Sequence, residues 1–285
     1  MYSSNLPFAS LQNEYLQLDY LTSLGPRILG LYANGVQDNL FAETPDMHWP
    51  TPHGEYHLYG GHRLWTSPED VFYMCPEEGL DVNESEDQVI LKSPVDAAGL
   101  QKEMSIKLEN NRVHVSHKVT WHGEKEVIFA PWALTQMRLG GRAIFPFSNS
   151  EGLLPDRNIV LWPYSELNDP RLELLDDLIL VHAYGIGKPF KIGSFNLNGW
   201  IAYNLGEALL IKRFILDMDG SYPDRHCNVE MYVNDLCIEL ETIGALKKLQ
   251  PGSSMTHDET WEVLVGEFPF TLENARDIIK RLSQS

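Results

Sequence analysis

The segment from Leu58 to Asp70 combines groups that can carry protons with flat aromatic rings. His62 and Arg63 follow directly after a pair of glycines, and Tyr59 and Trp65 lie on either side. Because glycine has no Cβ, the backbone can adopt unusual angles there, and another chain or a ligand can approach closely. Hydrogen-bond donors beside aromatic faces are the chemistry needed to hold a polyhydroxylated ligand such as a sugar. The alternative is a tight glycine turn that carries an ordinary surface His-Arg pair.

Two glutamates that are two residues apart form a second set of candidate functional residues. Glu239 and Glu241 alternate with Ile238 and Leu240, so they share one face of a predicted strand. Residues two apart on a strand are separated by about 6.5–7 Å along the chain. If this face lines a cleft, mutual repulsion raises one pKa and provides a general base. If the face is turned to water, both groups are solvated surface charges.

Two further polar residues fall on apolar strand faces. Glu259 shares its strand parity with Trp261 and Val263, and His117 falls on the apolar face of an earlier strand. Burial of an unpaired charge is expensive, so Glu259 needs a partner, which is a backbone cap, Arg63 or another arginine, or a ligand. We favour a structural role for Glu259 and a core position for His117.

His48, His53, His57 and His62 lie close together in the sequence and raise the question of a metal site. Their spacing does not match a helix-borne HExxH motif, and no cysteine or acidic pair completes a zinc pattern. No metal is therefore expected. The sequence also has no GxxxxGK[ST], GxGxxG or GxSxG motif, so nucleotide-dependent chemistry and serine hydrolysis have no support.

The elements that must position these residues are mostly strands. Hydrophobic periodicity of two, with short segments and turn signals between them, predicts an all-β antiparallel sandwich. One helix is expected from Thr271 to Leu282, packed on the outside of the sandwich. Two segments lack the alternation, Glu43 to Asp70 and Phe147 to Arg171, and are predicted to be loops that wall a binding cleft. No repeat or linker divides the chain, so residues 1–285 are predicted to form a single domain.

Composition limits the class of partner. The chain of 285 residues has 40 acidic and 22 basic side chains and a formal charge of −18, which disfavours nucleic acid and anionic membrane surfaces. The three cysteines Cys75, Cys227 and Cys237 form no CxxC pair, which fits a reducing compartment. The sequence shows no signal peptide and no long apolar run. A cytoplasmic location is expected.

Three segments taken together carry a resemblance to a known family. They are, in order, Gly25–Ile28 with Leu58–Trp65, then Ala130–Thr135 with Gly140, Gly141 and Pro146, and finally Leu240–Thr242 with Leu249–Ser253 and Glu259–Trp261. This ordered set resembles the galactose mutarotase-like superfamily, and more closely a bacterial branch of it. The resemblance implies a large antiparallel β-supersandwich with a concave face that binds a small-molecule carbohydrate without a cofactor.

The resemblance also implies roles for residues. In aldose 1-epimerases of this superfamily, a glutamate in a Leu-Glu-Thr string takes the proton of the anomeric hydroxyl, and a histidine protonates the ring oxygen. Glu241 matches that glutamate. Tyr59 stands where those enzymes have a histidine, and their middle histidine motif corresponds to 130–133, which has none, so His62 is expected to be the acid. The substrate-binding residues are expected to be Arg63, Tyr59, Trp65, Trp132, Thr135, Gln136 and Glu259.

Three hypotheses follow. The first is an aldose 1-epimerase-like isomerase, with Glu241 as base and His62 as acid. The second is a sugar-binding or sensing domain without catalysis on the same scaffold, with Trp49 among the aromatic residues that stack on the sugar. The third is a metal-dependent enzyme that uses the histidine cluster. In the second, Arg63 and Glu241 bind the hydroxyls, and the site assignment as a whole requires His62, Arg63 and Glu241 to converge in one pocket.

Overall fold

The computed structural model describes residues 5–147, 153 and 155–282, and almost all of its regular structure is antiparallel sheet. The strands are β1 (Phe8–Gln12), β2 (Leu16–Leu21), β3 (Ile28–Ala33), β4 (Glu43–Thr51), β5 (Gly54–Gly60), β6 (His62–Ser67), β7 (Asp81–Glu84), β8 (Gln88–Lys92), β9 (Leu100–Glu109), β10 (Arg112–Trp121), β11 (Val127–Met137), β12 (Arg142–Pro146), β13 (Val160–Leu161), β14 (Leu172–Leu174), β15 (Leu178–His182), β16 (Phe190–Ser194), β17 (Trp200–Asn204), β18 (Ala208–Phe214), β19 (Val229–Val233), β20 (Ile238–Ile243), β21 (Lys247–Leu249) and β22 (Ser254–Val265). A 3-10 turn spans Val71–Tyr73, a tight turn spans Pro223–His226, and one regular helix, α1, spans Leu272–Leu282.

Two ten-stranded sheets form the sandwich. The first has the order β1-β2-β3-β6-β11-β20-β19-β16-β13, with β21 added on β11, and the second has the order β14-β15-β12-β17-β18-β22-β10-β9-β8-β7. Alternate side chains of each strand meet between the sheets and form the main apolar core, which includes Leu18, Val115, Ile201 and Leu240. The predicted all-β antiparallel fold with a C-terminal helix is confirmed. That residues 1–285 form a single domain stays a prediction.

The helix α1 covers part of the outer face of the second sheet. Its buried residues Ala275, Ile278 and Leu282 contact a cluster that includes Leu180 and Trp200, as the apolar stripe in the sequence predicted. No helix within the described ranges is long and apolar enough to cross a membrane. The three cysteines are buried and unpaired.

The segment from Glu43 to Asp70 corrects the prediction of a structureless loop. The strands β4 and β5 form a separate two-stranded hairpin, and β6 joins the first sheet between β3 and β11. The hairpin packs on the outer face of that sheet, where Tyr56 and Leu58 contact Trp65 and Trp132. The high content of Pro, His and aromatic residues hid the strands, because few positions alternate cleanly between apolar and polar.

Two glycines allow the sharp passage from β5 to β6. Gly60 and Gly61 have φ angles of +107° and +68°. A Cβ on Gly61 would lie 2.0 Å from the carbonyl oxygen of Ile28, and one on Gly60 would lie 2.2 Å from that of Ala42. The close approach predicted from the sequence is therefore an approach of backbone to backbone. It fixes where β6 begins, and with it the face on which each side chain of β6 lies.

Candidate functional site

A cavity of about 320 Å³ opens on the outer face of the first sheet, under the β4–β5 hairpin. Strand register brings its residues together, since Trp132 of β11 pairs with Trp65 of β6, and Tyr232 of β19 pairs with Glu239 of β20 and with Lys191 of β16. Side chains at these paired positions point to the same face of a sheet. The cavity is lined by the aromatic residues Trp49, Trp65, Trp132, Tyr164 and Tyr232, the charged residues Arg63, Glu69, Lys191 and Glu239, and Met47 and Leu58.

The aromatic wall is a set of rings in mutual contact. The Trp65 ring centroid lies 5.5 Å from that of Trp132 and 6.1 Å from that of Trp49, both edge to face. The indole N–H of Trp65 donates to the hydroxyl of Tyr56 at 2.8 Å. The rings are therefore held in place before any ligand arrives, and they offer apolar surface to one.

Arg63 is a buried guanidinium with unused hydrogen-bonding capacity. It is 1% exposed, its Cζ lies 4.3 Å from the centroid of the Trp65 ring, and its Nη2 donates to Glu239 Oε1 at 3.2 Å. Among the described residues, its Nε and Nη1 atoms have no hydrogen-bond partner. A buried donor without a partner costs free energy, so a ligand oxygen in the cavity would stabilise this arrangement.

Below Arg63 and Glu239, one ammonium is shared by two carboxylates. The Nζ of Lys191 lies 2.7 Å from Glu230 and 2.8 Å from Glu241, and the indole N–H of Trp132 donates to Glu241 at 2.7 Å. We call Glu230, Lys191 and Glu241 the charge triad. Glu241 is fully buried and does not line the cavity, whereas Lys191 does. The triad therefore reaches the cavity through the lysine.

Burial and pairing shift the proton affinities of the triad. Burial raises the pKa of Glu241, and Glu239 raises it further, against the opposing effect of Lys191. Burial also raises the pKa of Glu230 well above its usual value. Burial opposes the charge on Lys191, but the two carboxylates outweigh that effect and raise its pKa. One positive charge between two carboxylates leaves the triad with a net negative charge or with one additional proton.

Three of the predicted site residues lie between the two sheets instead, with His62 and Thr135 on the inner face of the first sheet and Glu259 on β22 of the second. His62, Thr135 and Glu259 point between the sheets, where His62 Nδ1 lies 2.8 Å from Thr135 Oγ1 and His62 Nε2 lies 2.9 Å from His117 Nε2. Lys212 Nζ lies 3.0 Å from Glu259 Oε1 and donates to Thr135 Oγ1 at 2.7 Å. Because adjacent strand residues face opposite sides, Arg63 in the cavity requires His62 in the core. The expected convergence of His62 with Arg63 and Glu241 is thus corrected.

The interior cluster holds neutral imidazoles. Burial lowers the pKa of His62 well below its usual value, and His117 and Lys212 lower it further. Burial lowers the pKa of His117 to about 3, although the carboxylate of Glu259 acts in the other direction. A histidine that is neutral near pH 7 and enclosed between two sheets cannot reach the cavity as a proton donor to a ligand.

The residues of this cluster also resemble a metal donor set. Ligand atoms of His62, His117 and Glu259 lie within 4.8 Å of one another. However, the two imidazole nitrogens are at hydrogen-bonding distance, and the ammonium of Lys212 already neutralises Glu259. Each of the three candidate ligand residues already has a hydrogen-bond or ion-pair partner without a metal ion, although His117 Nδ1 has none among the described residues. We regard the cluster as a polar part of the core.

The four neighbouring histidines of the sequence do not converge. His48 and His57 lie 3.1 and 2.9 Å from the carboxylate of Glu55 on the hairpin surface. His53 packs edge to face on Phe72, while His62 lies in the core. Four imidazoles in these positions cannot share one ion.

Two other predicted binding residues lie beside the cavity but do not line it. Tyr59 has a φ of +56°, and its ring faces away, 5.4 Å from the His57 ring and 5.8 Å from Arg27 Cζ. Gln136 is on the cavity face of β11 but is fully buried, where it accepts from Thr44 Oγ1 at 3.2 Å. Of the predicted residues, Arg63, Trp65 and Trp132 line the cavity.

Sequence reasoning missed several residues of the site. Glu230 and Tyr232 alternate with the apolar residues of β19, so the parity argument that singled out Glu239 and Glu241 could have found them. Lys191 lies between two buried apolar residues of β16, and a lysine there is a signal of a buried ion pair. Glu69 and Tyr164 lie outside regular elements and had no periodic signal.

Comparison with solved structures shows the fold. A protein of Escherichia coli K12, provisionally named an aldose 1-epimerase, has a TM-score of 0.53 and 15% identity over 91% of this chain and 99% of its own. A galactose mutarotase-like protein of Lactobacillus casei has a TM-score of 0.53 and 10% identity, over 90% and 100%. A TPR-domain containing protein of Parabacteroides distasonis has a TM-score of 0.61 and 12% identity, over 93% of this chain and 48% of that one.

The sequence resemblance to the galactose mutarotase-like superfamily is thus confirmed for the fold. No protein-family model matches the chain. A comparison with curated protein sequences found no match either. Since one fold carries many functions, the fold alone does not give the function, which depends on the residues of the site.

Proposed function

We propose that the chain binds a monosaccharide in the cavity on the outer face of the first sheet. The observation that carries this proposal is Arg63, whose Nε and Nη1 atoms are buried among aromatic rings and have no partner in the described part of the chain. Sugar hydroxyls are acceptors and donors in one compact ligand, and the axial C–H groups of a pyranose form an apolar face. Arg63 and Glu239 match the hydroxyls, and Trp49 and Trp65 match the apolar face.

The surroundings support a small uncharged ligand over a macromolecule. A cavity of about 320 Å³ accommodates a monosaccharide. The formal charge of −18 opposes nucleic acid and anionic membranes. A cytoplasmic location belongs to the same proposal and rests on three buried cysteines that form no disulfide.

Isothermal titration calorimetry with a panel of aldoses tests the binding. We expect at least one hexose or pentose to bind, and Arg63→Gln to weaken it about tenfold, which corresponds to about 1.4 kcal/mol. The matched control is Arg112→Gln on the outer face of the second sheet, where Arg112 pairs with Glu262 at 3.5 Å. No heat with any aldose, or equal losses in both variants, contradicts the proposal.

The second candidate is an aldose 1-epimerase. The observation that favours it is the group of three carboxylates, Glu239, Glu241 and Glu230, beside the ammonium of Lys191. In this reaction a base takes the proton of the anomeric hydroxyl, the bond from C1 to the ring oxygen breaks, and an acid protonates that oxygen. Reclosure on the other face of the carbonyl gives the other anomer.

In this candidate, Glu241 is the base that the resemblance implies, and His62 drops out because it faces the core. Glu241 reaches a sugar only if the side chains of Lys191 and Trp132 above it move, whereas Glu239 lines the cavity directly. Lys191 lines the cavity and stabilises the negative charge that develops on the ring oxygen, which takes its proton from water. These residues replace the histidines of the aldose 1-epimerases.

Exchange spectroscopy by NMR between α and β anomers tests the catalysis. If the chain is an epimerase, the exchange is faster than in buffer, and Glu241→Gln and Glu239→Gln each reduce it by about 10²-fold or more. The control is Glu262→Gln. If the wild-type chain binds an aldose but leaves its anomeric exchange at the buffer rate, the binding proposal stands without the isomerase.

A further inference from the structure

We infer that the cavity selects sugars without an anionic group, and so excludes phosphorylated sugars and uronic acids. This inference rests on the proposed sugar binding and names the substrate class of the same site. It is carried by the charges around the cavity, in which both cations are already paired with carboxylates.

The first cation of the cavity is already neutralised. Arg63 Nη2 lies 3.2 Å from Glu239 Oε1, and both side chains are almost fully buried. The free Nε and Nη1 atoms can donate hydrogen bonds to a neutral oxygen without a change in charge balance. A phosphate at the same donors would lie close to the carboxylate of Glu239, and this like-charge repulsion opposes the attraction to the guanidinium.

The second cation, Lys191, is paired with two carboxylates. Lys191 is held by Glu230 and Glu241 at 2.7 and 2.8 Å, and its side chain is 6% exposed. Its Nζ also lies 4.8 Å and 4.6 Å from the ring centroids of Trp132 and Trp162. To pair with a ligand anion, the lysine would have to leave two buried carboxylates, which is costly. Among the described residues that line the cavity, no cation remains to balance an anionic ligand.

A further carboxylate, that of Glu69, lies at the mouth of the cavity. Glu69 lines the cavity, is exposed, and has no ion-pair partner among the described residues. Burial raises its pKa, Lys191 lowers it, and Glu239 and Asp224 raise it further. Desolvation is the largest of these effects on the pKa, and nearby cations and carboxylates act on Glu69 in opposite directions. An approaching anion meets this carboxylate first, whereas a hydroxyl or a protonated amine finds an acceptor there.

Calorimetric titration with ligands that differ in charge tests the inference. Each aldose is compared with its 6-phosphate and its uronic acid, and with its 2-amino derivative at slightly acid pH, in low-salt buffer. We expect the neutral sugar to bind at least tenfold more tightly than both anions, and the amino sugar at least as tightly as the neutral one. Salt reduces the difference, because it screens these charges.

Variants at the mouth show whether Glu69 contributes. Glu69→Lys reverses one charge, so we expect the ratio of neutral to phosphorylated affinity to fall about fivefold, whatever the change in affinity for the neutral sugar itself. The matched control is Glu124→Lys, since Glu124 is equally exposed and lies in the turn between β10 and β11. Both variants keep the fold, because neither residue is buried.

The outcomes separate the two proposals. If a phosphorylated sugar or a uronic acid binds as tightly as its neutral parent, or more tightly, the inference is overturned and sugar binding stands. An equal fall in the affinity ratio for Glu69→Lys and Glu124→Lys overturns the role of Glu69. If no member of the panel binds, the proposed function fails and the inference falls with it.

Discussion

His62 and Glu241 lie on opposite faces of one sheet. His62 Nε2 is 2.9 Å from His117 in the core between the sheets, whereas Glu241 accepts from Lys191 at 2.8 Å on the outer face. The plane of the sheet separates them, so the two residues cannot act on the same atom of a ligand. This relation excludes His62 from the proposed site, whose charged groups are carboxylates, one arginine and one lysine.

Removal of the shared ammonium should destabilise the fold. Lys191→Met leaves Glu230 and Glu241 buried without their cation, and breaking a buried pair in this way costs about 3–5 kcal/mol. Urea unfolding followed by tryptophan fluorescence measures the loss. The control is the triple variant that adds Glu230→Gln and Glu241→Gln, in which we expect most of the stability to return. A loss that the triple variant does not recover would mean that lost packing, not charge, is the cause.

The loss of stability in Lys191→Met should depend on pH in a defined direction. Both carboxylates have pKa values raised above their usual range in the fold, so the folded state binds protons more tightly than the unfolded state does. Stability then rises as the pH falls toward the ordinary range of a glutamate. We expect the deficit of Lys191→Met to be smaller at pH 5 than at pH 8. A deficit that is constant across this range contradicts the assignment.

The interior histidines should lower the stability of the fold as the pH falls. This effect is opposite to that of the two carboxylates. Burial lowers the pKa of His117 in the fold from the usual 6.5 to about 3, so between these values the unfolded state binds the additional proton. Stability falls as the pH drops through this window, by about 1.4 kcal/mol per pH unit for each such group. His62 and His257 are shifted downward as well. These imidazoles face Lys212 and Glu259 in the core.

His117→Gln tests this sensitivity. The variant should show a shallower decline of unfolding free energy between pH 6.5 and 4, by about one proton equivalent. The exposed residue His122 provides the control, since His122→Gln should leave the slope as in the wild type. Urea midpoints at four or five pH values measure the slope. A slope in His117→Gln equal to that of the wild type would show that His117 is already protonated in the fold.

An aromatic residue at the hairpin should contribute to affinity more than to stability. Trp49 lines the cavity and is only partly buried, so Trp49→Ala should weaken aldose binding about tenfold or more while the fold is kept. Tyr15→Ala is the control, because Tyr15 is 48% exposed and lies between β1 and β2. Calorimetry and thermal melting separate the two effects. Unchanged affinity in Trp49→Ala would remove this ring from the site.

The two glycines before β6 should tolerate no side chain. Gly61→Ala places a Cβ 2.0 Å from a backbone oxygen at a φ of +68°, so we expect a loss of about 3 kcal/mol or more, or failure to fold. Gly206→Ala measures the cost of a positive φ without a steric clash, since Gly206 has a φ of +79° with no atom within 4 Å of its Cβ position. That variant should lose only about 1 kcal/mol. Similar losses in the two variants would contradict the close approach.

By itself, the amino-acid sequence determined the class of fold and the parity within strands. The spacing of apolar and polar residues along the chain is a local property. It predicted the sheets, the helix α1, the common face of Glu239 and Glu241, and the core position of His117. The ordered motifs indicated the superfamily fold. The sequence analysis also named Trp65 and Trp132 as expected ligand-binding residues, and both line the cavity.

The tertiary structure alone decided which faces meet. Alternation shows that His62 and Arg63 point to opposite sides, but it does not show which side is covered by the second sheet. That depends on pairing between strands far apart in the sequence, such as β6 with β11 and β11 with β20. The same pairing brings Lys191 and Glu230 to Glu241, because hydrogen bonds between distant strands set the register and no local pattern encodes it. The sequence therefore predicted part of the lining of the cavity, and it did not predict how the charged groups there are paired.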